Sequence, residues 1–266
     1  MMFSIHILER GCMFRSVINS QRRLSLNFDK LFPKQYTVDG NSDFLTSFVP
    51  AYLKKGLIIY DVGGGKNPYL TKEKKDLLSC LVVGLDIDKK GLNSAPEGSY
   101  DKIICADITK YSGNCNADIV ICQALLEHVK DIKKAVLSIY SILKPGGVAL
   151  VFVPSKNSVF ARLNILIPQK IKKRILYAIY PKSKGEKGFV AFYDQCTPFH
   201  MRKLCKDNDF SIIAERFYYK SSYFSFFFPA YFVWRLWVIL FHFFVKEQAA
   251  ETFSMALYKK VPKDII

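Results

Sequence analysis

The chain is 266 residues long, half of them hydrophobic and 15% aromatic, with a formal net charge of +16. That apolar content excludes a mainly disordered chain, and the length suits one well-buried domain with additions rather than two full domains. The positive charge favours an anionic partner without choosing among nucleic acid, anionic lipid and an acidic substrate. The seven cysteines are odd in number and form no Cys-x-x-Cys pair, so neither a zinc site nor a disulfide framework is expected, and a reducing cytoplasm is the simplest compartment.

Residues 1–55 balance Arg10, Arg15, Arg22, Arg23, Lys30, Lys34, Lys54 and Lys55 against Glu9, Asp29, Asp39 and Asp43. The apolar run 5–8 is too short for a signal peptide, and Glu9 and Arg10 interrupt it. We read 1–50 as a helical lead-in. Phe44, Leu45, Phe48, Val49 and Tyr52 recur at helical spacing, with Ser42 or Asp43 near the helix start. On its own, such a helix can shield a sheet edge.

The apolar run 57–60 reads as a strand buried on both faces, and D-V-G-G-G-K-N-P follows at 61–68. Gly63, Gly64 and Gly65 let the backbone turn tightly and approach a ligand, although a lone glycine triplet is as often a plain turn. Strand 81–85 then ends at Asp86, 21 residues after Gly65. An acid at that distance accepts hydrogen bonds from ribose hydroxyls in nucleoside-binding α/β folds. A dinucleotide fingerprint would need glycine in place of Pro68, and Asp61 would repel a pyrophosphate. A nucleoside bearing an amino-acid cation fits better.

A short helix is expected over 71–79, and a third strand over 102–105 leads into Ala106, Asp107 and Ile108. A fourth strand, 118–122, puts Gln123 at its carboxyl end. Ligands of open parallel sheets sit outside the carboxyl ends of strands, so Asp61, Asp86, Asp107 and Gln123 should converge on one crevice. Glu127 and His128 lack the H-E-x-x-H spacing and a third ligand, which favours a structural or cofactor-lining duty over catalysis and predicts no metal. Asp131 should cap a helix carrying Ile132, Ala135, Val136, Ile139, Ile142 and Leu143, ended by 144–147 and followed by a fifth strand, 148–153.

The motifs D-V-G-G-G (61–65), G-L-D-I-D (84–88), C-A-D-I (105–108) and A-D-I-V-I-C-Q-A-L-L-E-H-V through L-K-P-G-G (117–147) together resemble the class I S-adenosylmethionine-dependent methyltransferases, and most nearly their type 11 subgroup. Asn67 departs from the family's usual third loop glycine. The resemblance implies a Rossmann-like seven-stranded α/β sheet with helices on both faces and strand seven antiparallel. It implies S-adenosyl-L-methionine as cofactor, held by Asp61, Gly63, Gly64, Gly65, Asp86, Ile87, Asp107, Ile108 and Gln123. Asp107 would then meet the adenine amino group and Ile108 the ring.

Beyond the fifth strand, 155–200 reads as a cap segment. Lys170, Lys172, Lys173, Arg174, Lys182, Lys184 and Lys187 face only Glu186, with an apolar stripe of Ile171, Ile175, Leu176 and Ile179. Such a basic amphipathic stretch suits a membrane surface or an anionic partner, or a solvated cap face. Thr197 and Pro198 should start the next helix. Tyr193, Asp194 and His200 are candidates for the proton acceptor in catalysis, His200 because imidazole titrates near neutrality. Strands six and seven, 210–218 and 253–258, flank an apolar insert at 221–248. Its core, 223–245, is long enough to span a bilayer, but one crossing would strand the last β-strand on the wrong side, and Pro229, Arg235 and His242 interrupt it. A hairpin or pair of short helices is expected, lying in a membrane interface, forming a hydrophobic mouth, or buried in the core or a homodimer contact.

Enzymes acting on exocyclic base amines use an N/D-P-P-aromatic motif after strand four, where this chain has Q-A-L-L-E, and no Pro-Cys dipeptide occurs. A nucleic-acid substrate therefore ranks below a small-molecule, saccharide or lipid-linked acceptor at the inner face of a membrane. Chains that share G-G-G-K-x-P and Y-D-x-C-T-P look like methyltransferases of surface-polysaccharide or small-metabolite pathways, which implies a saccharide acceptor, free or lipid-carried. A catalytically silent interaction protein on the same fold stays open.

Overall fold

The computed structural model describes residues 2–168, 171, 190–221 and 223–262, with side chains from residue 16 onward. Seven strands, β1 (Ile58–Val62), β2 (Leu81–Asp86), β3 (Lys102–Cys105), β4 (Ala117–Gln123), β5 (Leu143–Pro154), β6 (Phe210–Tyr218) and β7 (Thr252–Lys259), form one sheet in the order β3-β2-β1-β4-β5-β7-β6. The pairs from β3 to β5 are parallel, while β7 runs antiparallel to both β5 and β6. The strand order reverses between β1 and β4, and there the carboxyl ends splay apart into a crevice.

Alternation along the strands divides the core. Tyr60, Val62, Val120, Cys122 and Val151 face α5 (Ile132–Ile142) and α7 (Pro198–Asp207), while Ile59, Ile119, Ile121 and Leu150 face the lead-in residues Phe44, Phe48 and Val49. The lead-in comprises α1 (Met2–Asp29) and α2 (Gly40–Asp43), which runs on through Phe44–Phe48 and Pro50–Tyr52 as π and 3-10 turns. Asp39 caps α2 by accepting from Ser42 N at 2.8 Å, so the helix starts earlier than Ser42 or Asp43. The short helices α3 (Lys72–Leu77) and α4 (Lys89–Asn93) follow β1 and β2, and α6 (Val159–Leu166) follows β5.

Two expectations are corrected. Helix α5 ends at Ile142, and Leu143 already pairs with Ala117; residues 144–147 form an irregularity inside β5 instead of the helix terminus. The apolar insert is one 18-residue helix, α8 (Phe228–Val245), not a hairpin or pair. Pro229 lies in its first turn, where no intrahelical N–H is required. Arg235 and His242 point inward onto polar partners, so neither breaks the helix. The basic stretch 170–188 lies outside the described residues apart from Ile171.

Candidate active site

Strand β1 ends at a buried carboxylate. Asp61 lies under the glycine loop, where it accepts from Tyr69 N at 2.7 Å and from the Tyr100 hydroxyl at 3.4 Å. Desolvation raises its pKa to about 6, against the lowering effect of those two bonds. A Cβ on Gly64 would stand 2.6 Å from both Asp61 Oδ2 and the Tyr100 oxygen, so only glycine lets the loop settle onto this brace. Gly63 has φ +85°, in the left-handed region. The result is a backbone drawn back from the crevice.

In front of Gly63 lies a cavity of about 460 Å³, within the range of small-molecule sites. Gly63, Asp86, Ile87, Asp107, Ile108, Leu125, His128 and Phe192 line it, with Lys130, Asp131 and Lys134. Desolvation raises the pKa of Asp86, whose Oδ1 accepts from Asp88 N at 2.8 Å. Bonds from Thr109 N and Oγ1 to Asp107 Oδ1 lower that carboxyl's pKa. The His128 ring is set by an Nδ1 contact of 3.1 Å to the Val190 carbonyl. Ionised carboxylates accept only. Two of them beside the apolar surfaces of Ile87 and Ile108 suit a ligand with hydroxyls, an amine and a flat apolar ring, which is the chemistry of a nucleoside.

Of the four residues expected to converge, Asp86 and Asp107 line the cavity; Asp61 is buried under the loop, Gly64 and Gly65 are not part of the lining, and Gln123 Nε2 donates to Asn41 Oδ1 at 2.6 Å. The three proton-acceptor candidates are not brought to the cavity wall either. His200 is exposed in the first turn of α7, its Nδ1 2.7 Å from the hydroxyl of the cap Thr197. Asp194 accepts from Ile132 N at 3.5 Å, at the start of α5. Tyr193 is buried, with its N–H donated to the Glu127 carbonyl. Helix starts claim two of these side chains and the core claims the third.

Glu127, next to the cavity-lining His128, is a buried carboxyl that is protonated near neutrality and so does not replace them as a proton acceptor. It is 4% exposed, burial raises its pKa to about 8, its Oε2 has no hydrogen-bond partner, and its Oε1 lies 3.8 Å from Nε2 of His128 on the cavity wall. The Glu-His pair after β4 was the available signal, but its spacing indicated no chemistry.

Insertion of the antiparallel β7 between β5 and β6 sets this sheet apart from the dinucleotide-binding one, and with the cavity beside the glycine loop it gives the architecture of the class I S-adenosylmethionine-dependent methyltransferases. Residues 60–151 match the type 11 family model described as "Methyltransferase domain". Over that stretch the chain carries a type 11 methyltransferase domain, with S-adenosyl-L-methionine as the methyl donor. Solved structures share the fold. A SAM-dependent methyltransferase from Methanosarcina mazei superposes with TM-score 0.51 at 15% identity, covering 81% of this chain and 98% of that one. The putative methyltransferase complexed with the Trm112 activator from Haloferax volcanii gives 0.56 at 12%, covering 83% and 90%. A phosphoethanolamine N-methyltransferase of Haemonchus contortus, in complex with phosphomonomethylethanolamine and S-adenosylhomocysteine, gives 0.51 at 13%, covering 94% and 61%. No curated protein matches the chain.

Proposed function

We propose that the enzyme methylates a small-molecule, saccharide or lipid-linked acceptor at the cytoplasmic face of a membrane. The observation that carries this is the roof over β4. The Asn41–Gln123 bond ties the lead-in to the carboxyl end of that strand. Asp43 anchors the same segment through Arg216 at 2.7 Å and the Tyr218 hydroxyl at 2.6 Å, and the Tyr69 hydroxyl donates to Leu45 O at 2.9 Å. We read this tethered segment as covering the acceptor side, which suits a single extended group and not a nucleic-acid duplex. The small-molecule complex of the Haemonchus contortus enzyme supports the same class.

The cofactor supplies an activated methyl group on a sulfonium. This chain's part is to hold the nucleoside at Asp86 and Asp107, keep the loop backbone open through Asp61, and exclude water from the acceptor under the roof. Calorimetry with S-adenosylmethionine, S-adenosylhomocysteine and NAD tests the first part; tighter binding of NAD would overturn it. For the second, release of S-adenosylhomocysteine is followed with lipid-linked saccharide, soluble metabolite and nucleic-acid fractions as acceptors. Turnover confined to nucleic acid, with binding that weakens steeply with salt, would replace the proposal.

A further inference from the structure

A surface helix in water buries its apolar side and turns its charges outward. Helix α8 does the reverse. Tyr231, Trp234, Arg235 and Val238 face inward, and Arg235 is 0% exposed. Phe232, Val233, Leu236, Trp237, Leu240, Phe243 and Phe244 form the outward row, each between 39% and 71% exposed. The arginine is held inside by Asp29 Oδ1 at 3.1 Å and by the carbonyls of Tyr219 and Tyr36 at 2.7 Å each. Tyr231 donates to Asp29 at 2.7 Å, and His242 Nδ1 lies 2.7 Å from the Tyr36 hydroxyl. These anchors run from Tyr231 to His242, so the helix lies flat along the body.

Helix α1 extends the patch. Val17 and Leu24 of α1 and Leu31 just past its end are exposed at seven-residue spacing, in line with Gln21 and Phe28. Gln21 Oε1 accepts from Phe228 N, and the Phe28 ring meets those of Phe228 and Phe232. Arg23, Lys30, Lys34 and Lys246 are exposed on these two elements and their ends. Across residues 16–34 and 223–246 the one acid is Asp29, which is buried against Arg235.

We propose that this α1–α8 face docks on a bilayer containing anionic phospholipid, with α8 in the plane of the interface and its outward row at the acyl boundary. This rests on the membrane-surface part of the function proposed above and specifies how the enzyme sits there. Protein interfaces surround apolar cores with hydrogen-bonding groups. The outward row of α8 offers one such group, the Trp237 indole, a residue that favours the headgroup level of membranes. The basic side chains beside it complement anionic headgroups.

The two tryptophans of the chain make the test direct, since Trp234 is buried and Trp237 is half exposed. The full chain is mixed with phosphatidylcholine vesicles, with and without phosphatidylglycerol, whose acyl chains are brominated. The expected result is co-sedimentation that requires phosphatidylglycerol, with blue-shifted and quenched emission that Trp237→Phe removes. Leu236→Glu with Leu240→Glu should lower partitioning by more than about tenfold through loss of apolar burial. Failure to sediment with anionic vesicles, sedimentation without quenching, or a lipid-free dimer abolished by those two substitutions would overturn the proposal. Calorimetry with S-adenosylmethionine on the same variants reads the methyltransferase function separately, because its failure would leave docking untouched.

Discussion

Replacing Arg235 with methionine isolates the clamp between the lead-in and α8. The substitution keeps most of the apolar stem but leaves the Asp29 carboxylate buried and the carbonyls of Tyr36 and Tyr219 without their donors. Removing one partner of a buried ion pair costs about 3–5 kcal/mol. The low end of that range applies, for two reasons. Asp29 keeps the Tyr231 hydroxyl and Lys220 Nζ at 3.3 Å, and the Arg235 Nε–Oδ1 contact is not aligned as a hydrogen bond. At about 2–4 °C per kcal/mol for a chain of this size, a loss near 3 kcal/mol lowers Tm by roughly 6–12 °C. Urea titrations followed by tryptophan emission provide the assay, because Trp234 sits beside the clamp. Asp29→Asn in the Arg235→Met background should restore part of the loss by removing the orphaned charge. If Arg235→Met were as stable as the parent, the ion pair would not hold α8 down, and the flat orientation on a membrane would lose its basis.

Three further outcomes follow from the site. Asp86→Asn should weaken S-adenosylmethionine binding by about tenfold to a hundredfold in calorimetry, the worth of a charge-assisted hydrogen bond. Gly64→Ala should destabilise by about 1–3 kcal/mol and impair cofactor binding, because the new methyl group meets the Asp61–Tyr100 brace and the loop must shift. Glu127 stays protonated in the folded chain up to about pH 8, whereas in the unfolded chain it ionises from its ordinary value of 4.5. Folding therefore takes up a proton across that window, and stability falls as pH rises through it. Glu251, raised to about 7, and Asp61, raised to about 6, act in the same direction over narrower windows. Glu127→Gln should accordingly gain thermal stability relative to the parent between about pH 5 and about pH 8, and parallel melting profiles would contradict the burial argument.

The strands, their caps and the glycine loop were legible because each rests on local chemistry. Apolar runs bounded by turns, Asp131 and Thr197 ahead of helices, and an acid at the end of β2 are short-range signals. For Gln123 and His200, proximity in the chain says nothing about which neighbour claims a side chain. Asn41, 82 residues away from Gln123, takes its amide, and Thr197 takes the His200 imidazole. Arg235 shows the same limit. In a one-dimensional hydropathy reading it interrupts an apolar run, whereas in space it lies on the opposite face from the outward row and leaves that row unbroken.

The position of α8 connects docking to catalysis. It leaves the sheet at the end of β6 and returns at the start of β7, and Thr252 pairs with both Tyr218 and Pro154. Pro154 is the carboxyl end of β5, and Ser155 N donates to Glu251 O just beyond it. The apolar helix and the nucleoside cavity therefore open from the same edge of the sheet, because β7 is the strand that runs antiparallel. An insertion between β6 and β7 is delivered to the ligand side, whereas one between β5 and β6 would have to cross the sheet to reach the opposite edge. The docking proposed for α8 would therefore set a bilayer along the sheet edge that also carries the cavity, with β5 and β4 between them.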